Sequence, residues 1–121
     1  MNVAMPAFID SLRKAHGLMT GAEIEALVAR GNVIFDPFSA LISNRSIWGT
    51  GNILYPGVTL LCGPDASLEI GDGNVFHATS LLDAATGPIT IGSGNQFGEG
   101  GFTAKANQPG AAIPIGDGGR Y

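Results

Sequence analysis

The chain is short of charge. Six Lys and Arg and ten Asp and Glu stand among 121 residues, and the formal net charge is −4. The basic residues are scattered, whereas a nucleic-acid surface needs clustered Lys or Arg to displace counterions, so no nucleic-acid partner is expected. There is one cysteine, Cys62, so no internal disulfide can form, which fits a reducing, cytoplasmic setting. Histidine is limited to His16 and His77, too few for a three-histidine zinc site, and no metal is expected. The start, "MNVAMPAFIDSLRKAHG", lacks a charged segment followed by a sustained apolar run, so no signal peptide is read. No stretch approaches the roughly 20 apolar residues that span a membrane.

Glycine, by contrast, is abundant: 19 of 121 residues, with no Gly-X-Y period. Together with many Ile, Leu and Val it points to short buried strands joined by tight turns. The length suits one domain and not comfortably two.

Residues 1–30 read as a helical arm. Over 6–16, Pro6 suits a first helical turn and Gly17 a stop, and Phe8, Ile9, Leu12 and Ala15 lie near one face. A second helix starts at Thr20, which forms a capping box with Glu23. Ile24, Leu27 and Val28 share its face and Gly31 ends it. Helices this short are marginal alone, so they are expected to pack on the open end of the domain behind them.

From Gly31 the pattern repeats. Gly-Asn pairs stand at 31–32, 51–52, 73–74 and 94–95, so their spacing is nearly constant. Ile-Gly precedes the last two pairs and recurs at Ile115-Gly116. A steady period of about 20 residues marks a solenoid. Within it runs a six-residue spacing: Ile70, Phe76, Leu82, then Ile91, Phe97, Thr103. Each of these residues is expected to point inward, once per side of a three-sided coil. Ser39, Ser80 and Thr86 fit near corners. Glycine and asparagine both tolerate the left-handed backbone of a sharp corner, which accounts for "GDGN" better than a phosphate cradle does.

These turns and spacings resemble the hexapeptide-repeat family, the left-handed parallel β-helix of many acyltransferases, over residues 31–121. The expected fold is therefore an all-β solenoid: a left-handed parallel β-helix of about four coils behind a short helical arm. A narrower resemblance lies at "EALVARGNVIFDPFSALI", 25–42, which is similar to the junction in the bifunctional N-acetylglucosamine-1-phosphate uridylyltransferases. Their large nucleotide-binding domain, with its Gly-rich phosphate loop, has no room here, and their acetyltransferase residues sit in later coils. The chain stops at "IPIGDGGRY", as another turn opens, so the β-helix is expected to be incomplete at its C-terminal end.

The resemblance implies a homotrimer with sites between subunits, acyl-CoA as co-substrate without a bound cofactor, and a small-molecule acyl acceptor such as a sugar or nucleotide sugar. His77 follows inward Phe76, so it should face outward, where such enzymes place a general base. Alignment of the turns puts Tyr55, His77 and Gly98 in one column. Glu99, a diagonal neighbour, or Asp83, about a hexad downstream, is the expected partner of the imidazole. A solvated or subunit-contact histidine is the plainer alternative. The stretch from Ile91 to Ile115 is longer than the repeats before it. It makes a polar loop carrying Lys105, Asn107 and Gln108; Lys105 and Asn107 are the substrate-binding candidates. Cys62 reads as a small packed residue, and Trp48 as part of an early coil or the underside of the arm. The rival function is a non-catalytic scaffold or assembly module.

Overall fold

The computed structural model describes residues 4–98, 101–108 and 110–121. Two helices, α1 (Ala7–Ala15) and α2 (Gly21–Ala29), precede a run of short strands. These are β1 (Val33–Ile34), β2 (Leu41–Ile42), β3 (Ile47–Trp48), β4 (Ile53–Leu54), β5 (Thr59–Cys62) and β6 (Leu68–Ile70). Then come β7 (Val75–Phe76), β8 (Leu81–Ala84), β9 (Ile89–Ile91), β10 (Gln96–Phe97), β11 (Thr103–Lys105) and β12 (Ile113–Ile115). Every third strand stacks on the last. The three four-stranded sheets run β1-β4-β7-β10, β2-β5-β8-β11 and β3-β6-β9-β12, parallel throughout. The chain is a three-sided β-solenoid of about four turns.

Each side contributes one inward column. Ile34, Leu54, Phe76 and Phe97 form the first. Ile42, Leu60, Leu82 and Ala104 form the second, and Trp48, Ile70, Ile91 and Ile115 the third. Most are fully buried, and each such side chain contributes about 1.5–3 kcal/mol of burial free energy. The expected column position of Thr103 is corrected: it pairs with Leu81 and is exposed, and Ala104 takes the inward place. The long stretch after Ile91 thus shifts the six-residue pattern by one position.

The turn signature "IGxGN" has a physical reading at each position. Isoleucine fills the third column. The first glycine leaves room for the next coil: a Cβ at Gly49 would stand 2.7 Å from the carbonyl oxygen of Gly71, and one at Gly92 2.8 Å from that of Gly116. The second glycine has positive φ, +65° at Gly73, where a Cβ is strained. Asparagine does something else than expected. None of the four is left-handed; Thr79, φ +63°, is the one non-glycine residue with positive φ among those described. Instead Asn32, Asn52, Asn74 and Asn95 are buried in a ladder. The Oδ1 of each of the first three accepts from the backbone N–H and the Nδ2 of the next, at 2.9–3.1 Å along the central rungs. Each Nδ2 also donates to a glycine carbonyl of the following coil, as Asn74 does to Gly92 at 2.9 Å.

The arm covers the first coil. Thr20 and Glu23 form the capping box, and Ile24 and Leu27 join the core. The arm also satisfies the coil's open edge, whose unpaired backbone groups would otherwise invite pairing. Met19 N–H donates to Ile42 O at 2.7 Å, and Asn44 N–H to Gly17 O at 2.8 Å. The guanidinium of Arg13 is buried and donates to Met19 O at 2.7 Å and to Ala40 O. Arg30 donates to Trp48 O. Helix α1 therefore docks through Arg13 and not through the face expected from the sequence: Phe8 is 70% exposed and Leu12 56%. Burial lowers the Arg13 pKa, and the carboxylate of Asp10 works in the opposite direction.

Candidate functional site

His77 stands where β7 leaves its sheet and the chain turns a corner into β8. Its N–H donates to Phe97 O at 2.8 Å, which fixes the backbone. The corner is closed by Ser80, whose Oγ donates to His77 O at 2.8 Å, and by left-handed Thr79 between them. A β-branched residue with φ near +60° is a genuine outlier that costs of order 1–3 kcal/mol. The strain lies two residues from the imidazole.

The half-buried ring of His77 lies flat against Tyr55, with centroids 5.4 Å apart and planes at 11°. Tyr55 in turn meets Phe35 at 5.1 Å. The fourth position of this column is Gly98, which offers no side chain, so the imidazole is the last ring of the ladder. Gly98 cannot easily be larger: its φ is +85°, and a Cβ would collide with Ser80 Oγ. The one side-chain hydrogen-bond contact of the ring among the described residues joins Nε2 and Gln96 Oε1, 3.4 Å apart.

The other site candidates are placed elsewhere. Asp83 projects outward from β8, in register between Leu61 and Lys105, and no hydrogen bond joins it to His77. It lines a shallow groove of about 270 Å³ with His16, Ser43 and Cys62. Glu99 lies outside the described residues. Lys105 belongs to strand β11 and not to a loop, and only Asn107 and Gln108 keep the expected exposed position beyond it. The approach of His16 to Asp83 and Cys62 is not legible from sequence, because it depends on where the arm docks. No three His, Cys, Asp or Glu side chains among the described residues converge on a possible metal position. Burial pushes the Cys62 thiol up, with Arg45 acting in the other direction, the opposite of what an activated nucleophile needs.

In three of the glycine corners a backbone donor that a phosphate would need is not free. Their donors are already used: Thr50 N–H by Asp72 Oδ1 at 2.8 Å, Asp72 N–H by Ser93 Oγ at 3.0 Å, and Ser93 N–H by Asp117 Oδ1 at 2.7 Å. Among the described residues no helix is long and apolar enough to cross a membrane. No protein-family model matches the chain, and no curated protein matches it.

Proposed function

We propose that this β-solenoid is a hexapeptide-repeat acyltransferase that moves an acyl group from acyl-CoA to an amino or hydroxyl group of a sugar or nucleotide sugar. The observation that carries the reading is the ring ladder ending at His77. A histidine, held flat by Tyr55 and followed in its column by Gly98, with no side chain among the described residues stacked on its other face, sits at an outward corner. Imidazole has the basicity for proton transfer near neutral pH. In the reaction His77 takes a proton from the acceptor as its nitrogen or oxygen attacks the thioester carbonyl. The C–S bond then breaks, CoA leaves as a thiolate and takes up a proton, and the acylated acceptor is released. Lys105 and Asn107, and Glu99, which follows Gly98 in the sequence, are candidates for contacting substrate or partnering the base. The cytoplasmic setting, with its acyl-CoA supply, and a homotrimer with sites at the subunit boundary belong to the same reading.

The test uses acetyl-CoA with glucosamine 1-phosphate and measures released thiol. Loss of general-base action costs about 10²–10⁴-fold, so His77→Ala should fall by at least a hundredfold. Equal rates in both proteins remove His77 from the mechanism. A second reading, a non-catalytic assembly module, is favoured by the apolar first corner, where Val33, Phe35, Phe38 and Leu41 are all exposed; contiguous apolar surface marks interaction sites. Calorimetry with acetyl-CoA separates the two, since absence of binding at millimolar ligand favours the module.

A further inference from the structure

We infer that Gln96 is a positioning residue that fixes the tautomer of His77 with the proton on Nε2, leaving the lone pair on Nδ1 as the basic site. The catalytic meaning rests on the reading above, but the tautomer itself does not. Neutral imidazole carries one N–H and one lone pair, on different nitrogens. The Oε1 of Gln96 can only accept, so the 3.4 Å contact requires the proton on Nε2. Nδ1 then faces no hydrogen-bond partner among the described residues.

Both partners are held. Gln96 is clamped in β10, its N–H donating to Gly119 O and its carbonyl accepting from Tyr121 N–H, each at 2.9 Å. Its side chain is the outward diagonal neighbour of His77, since Gln96 pairs with Val75 and Phe97 with Phe76. The Tyr55 face prevents the imidazole from tilting freely. An amide at this position differs from a carboxylate in consequence. It orients the ring without placing a negative charge beside it. The bond is at the long end of the range, so its effect is that of one neutral hydrogen bond.

The experiment is a long-range ¹H–¹⁵N spectrum of the full chain labelled at histidine, recorded above the titration of the rings, with His16→Gln to assign the second signal. The wild type should show pyrrole-type Nε2 and pyridine-type Nδ1 for His77. Gln96→Leu should relax it towards the mixture of a free imidazole, whereas Gln96→Glu, which keeps an acceptor, should retain the wild-type pattern. A pyrrole-type Nδ1 in the wild type means the amide is turned to donate, and overturns the inference. So does the same tautomer ratio in wild type and Gln96→Leu. In the acetyl-CoA assay Gln96→Leu should lower kcat about tenfold, the size of one hydrogen bond, with KM unchanged. If the spectra behave as stated but His77→Ala is fully active, the acyl-transfer reading fails and the tautomer assignment stands.

Discussion

At the scale of single residues, Cys62 gives a direct measurement. Its thiol is raised by burial at the end of β5. The unfolded thiol therefore ionises before the folded one, and the native state holds its proton longer. Stability from this group is intact below the ordinary thiol pKa and declines as pH rises through the folded value. Iodoacetamide should modify native Cys62 more slowly than the chain in urea at pH 8, with the native rate still climbing at pH values where the unfolded rate has levelled. A native rate equal to the unfolded one would contradict the burial. Side-chain direction was legible as far as Phe97, with Phe76 and Leu82 inward and His77 outward, because a two-residue alternation follows each turn; the shift that puts Ala104 in the place expected of Thr103 was not. That Asp83 would join His16 and Cys62, away from the ring of His77, was not. That grouping depends on the docked arm, and no local spacing encodes it.

At the scale of the element, α1 is the informative case. Its apolar residues fall on one face, yet that face is open, and the buried contact is a guanidinium that binds two carbonyls. A helical pattern predicts burial of the apolar side when the partner surface is apolar. Here the partner is the edge of a sheet, which asks for donors. By contrast α2 was readable in full: capping box, apolar face and stop all appear where the sequence puts them. Hydrogen bonds from charged groups contribute about 1.5–3 kcal/mol each. With two such bonds, Arg13→Ala should therefore loosen the arm by about 3–6 kcal/mol while the coils remain folded. Thermolysin cleavage between residues 16 and 20 should rise steeply, with the β-sheet circular dichroism retained; unchanged protection would show that α1 docks by other means.

At the scale of the whole molecule, a solenoid is a line of nearest-neighbour interfaces, and the asparagine ladder runs through all of them. Removing one rung strands groups on both sides. Asn74→Ala would leave Gly92 O without its donor and Asn95 N–H without its acceptor, and would leave Asn95 Nδ2 with Gly116 O alone. Each buried orphan costs about 1–3 kcal/mol, against a total stability of about 5–15 kcal/mol for a domain. A loss of about 4 kcal/mol or more is expected for Asn74→Ala in urea unfolding, and a smaller one for Asn95→Ala, whose side-chain oxygen accepts only from Gly119 N–H. The repeat of Gly-Asn was plain in the sequence. The ladder was not, since a corner that tolerates asparagine and a core that requires it look alike until the side chain is seen to point inward.

The ladder also gives the coil a direction. Every side-chain oxygen from Asn32 to Asn95 looks towards the following turn, and at the last rung the N–H of Gly119 answers Asn95 at 2.8 Å. The interior is thus polarised one way along its axis, as a helix is along its own. A turn can join this stack in one orientation only, and any turn that carries the rung presents the same face to its successor. Length is therefore a quantity that can change by whole turns, through duplication or loss of one complete repeat at a time, without any neighbouring turn having to be rebuilt.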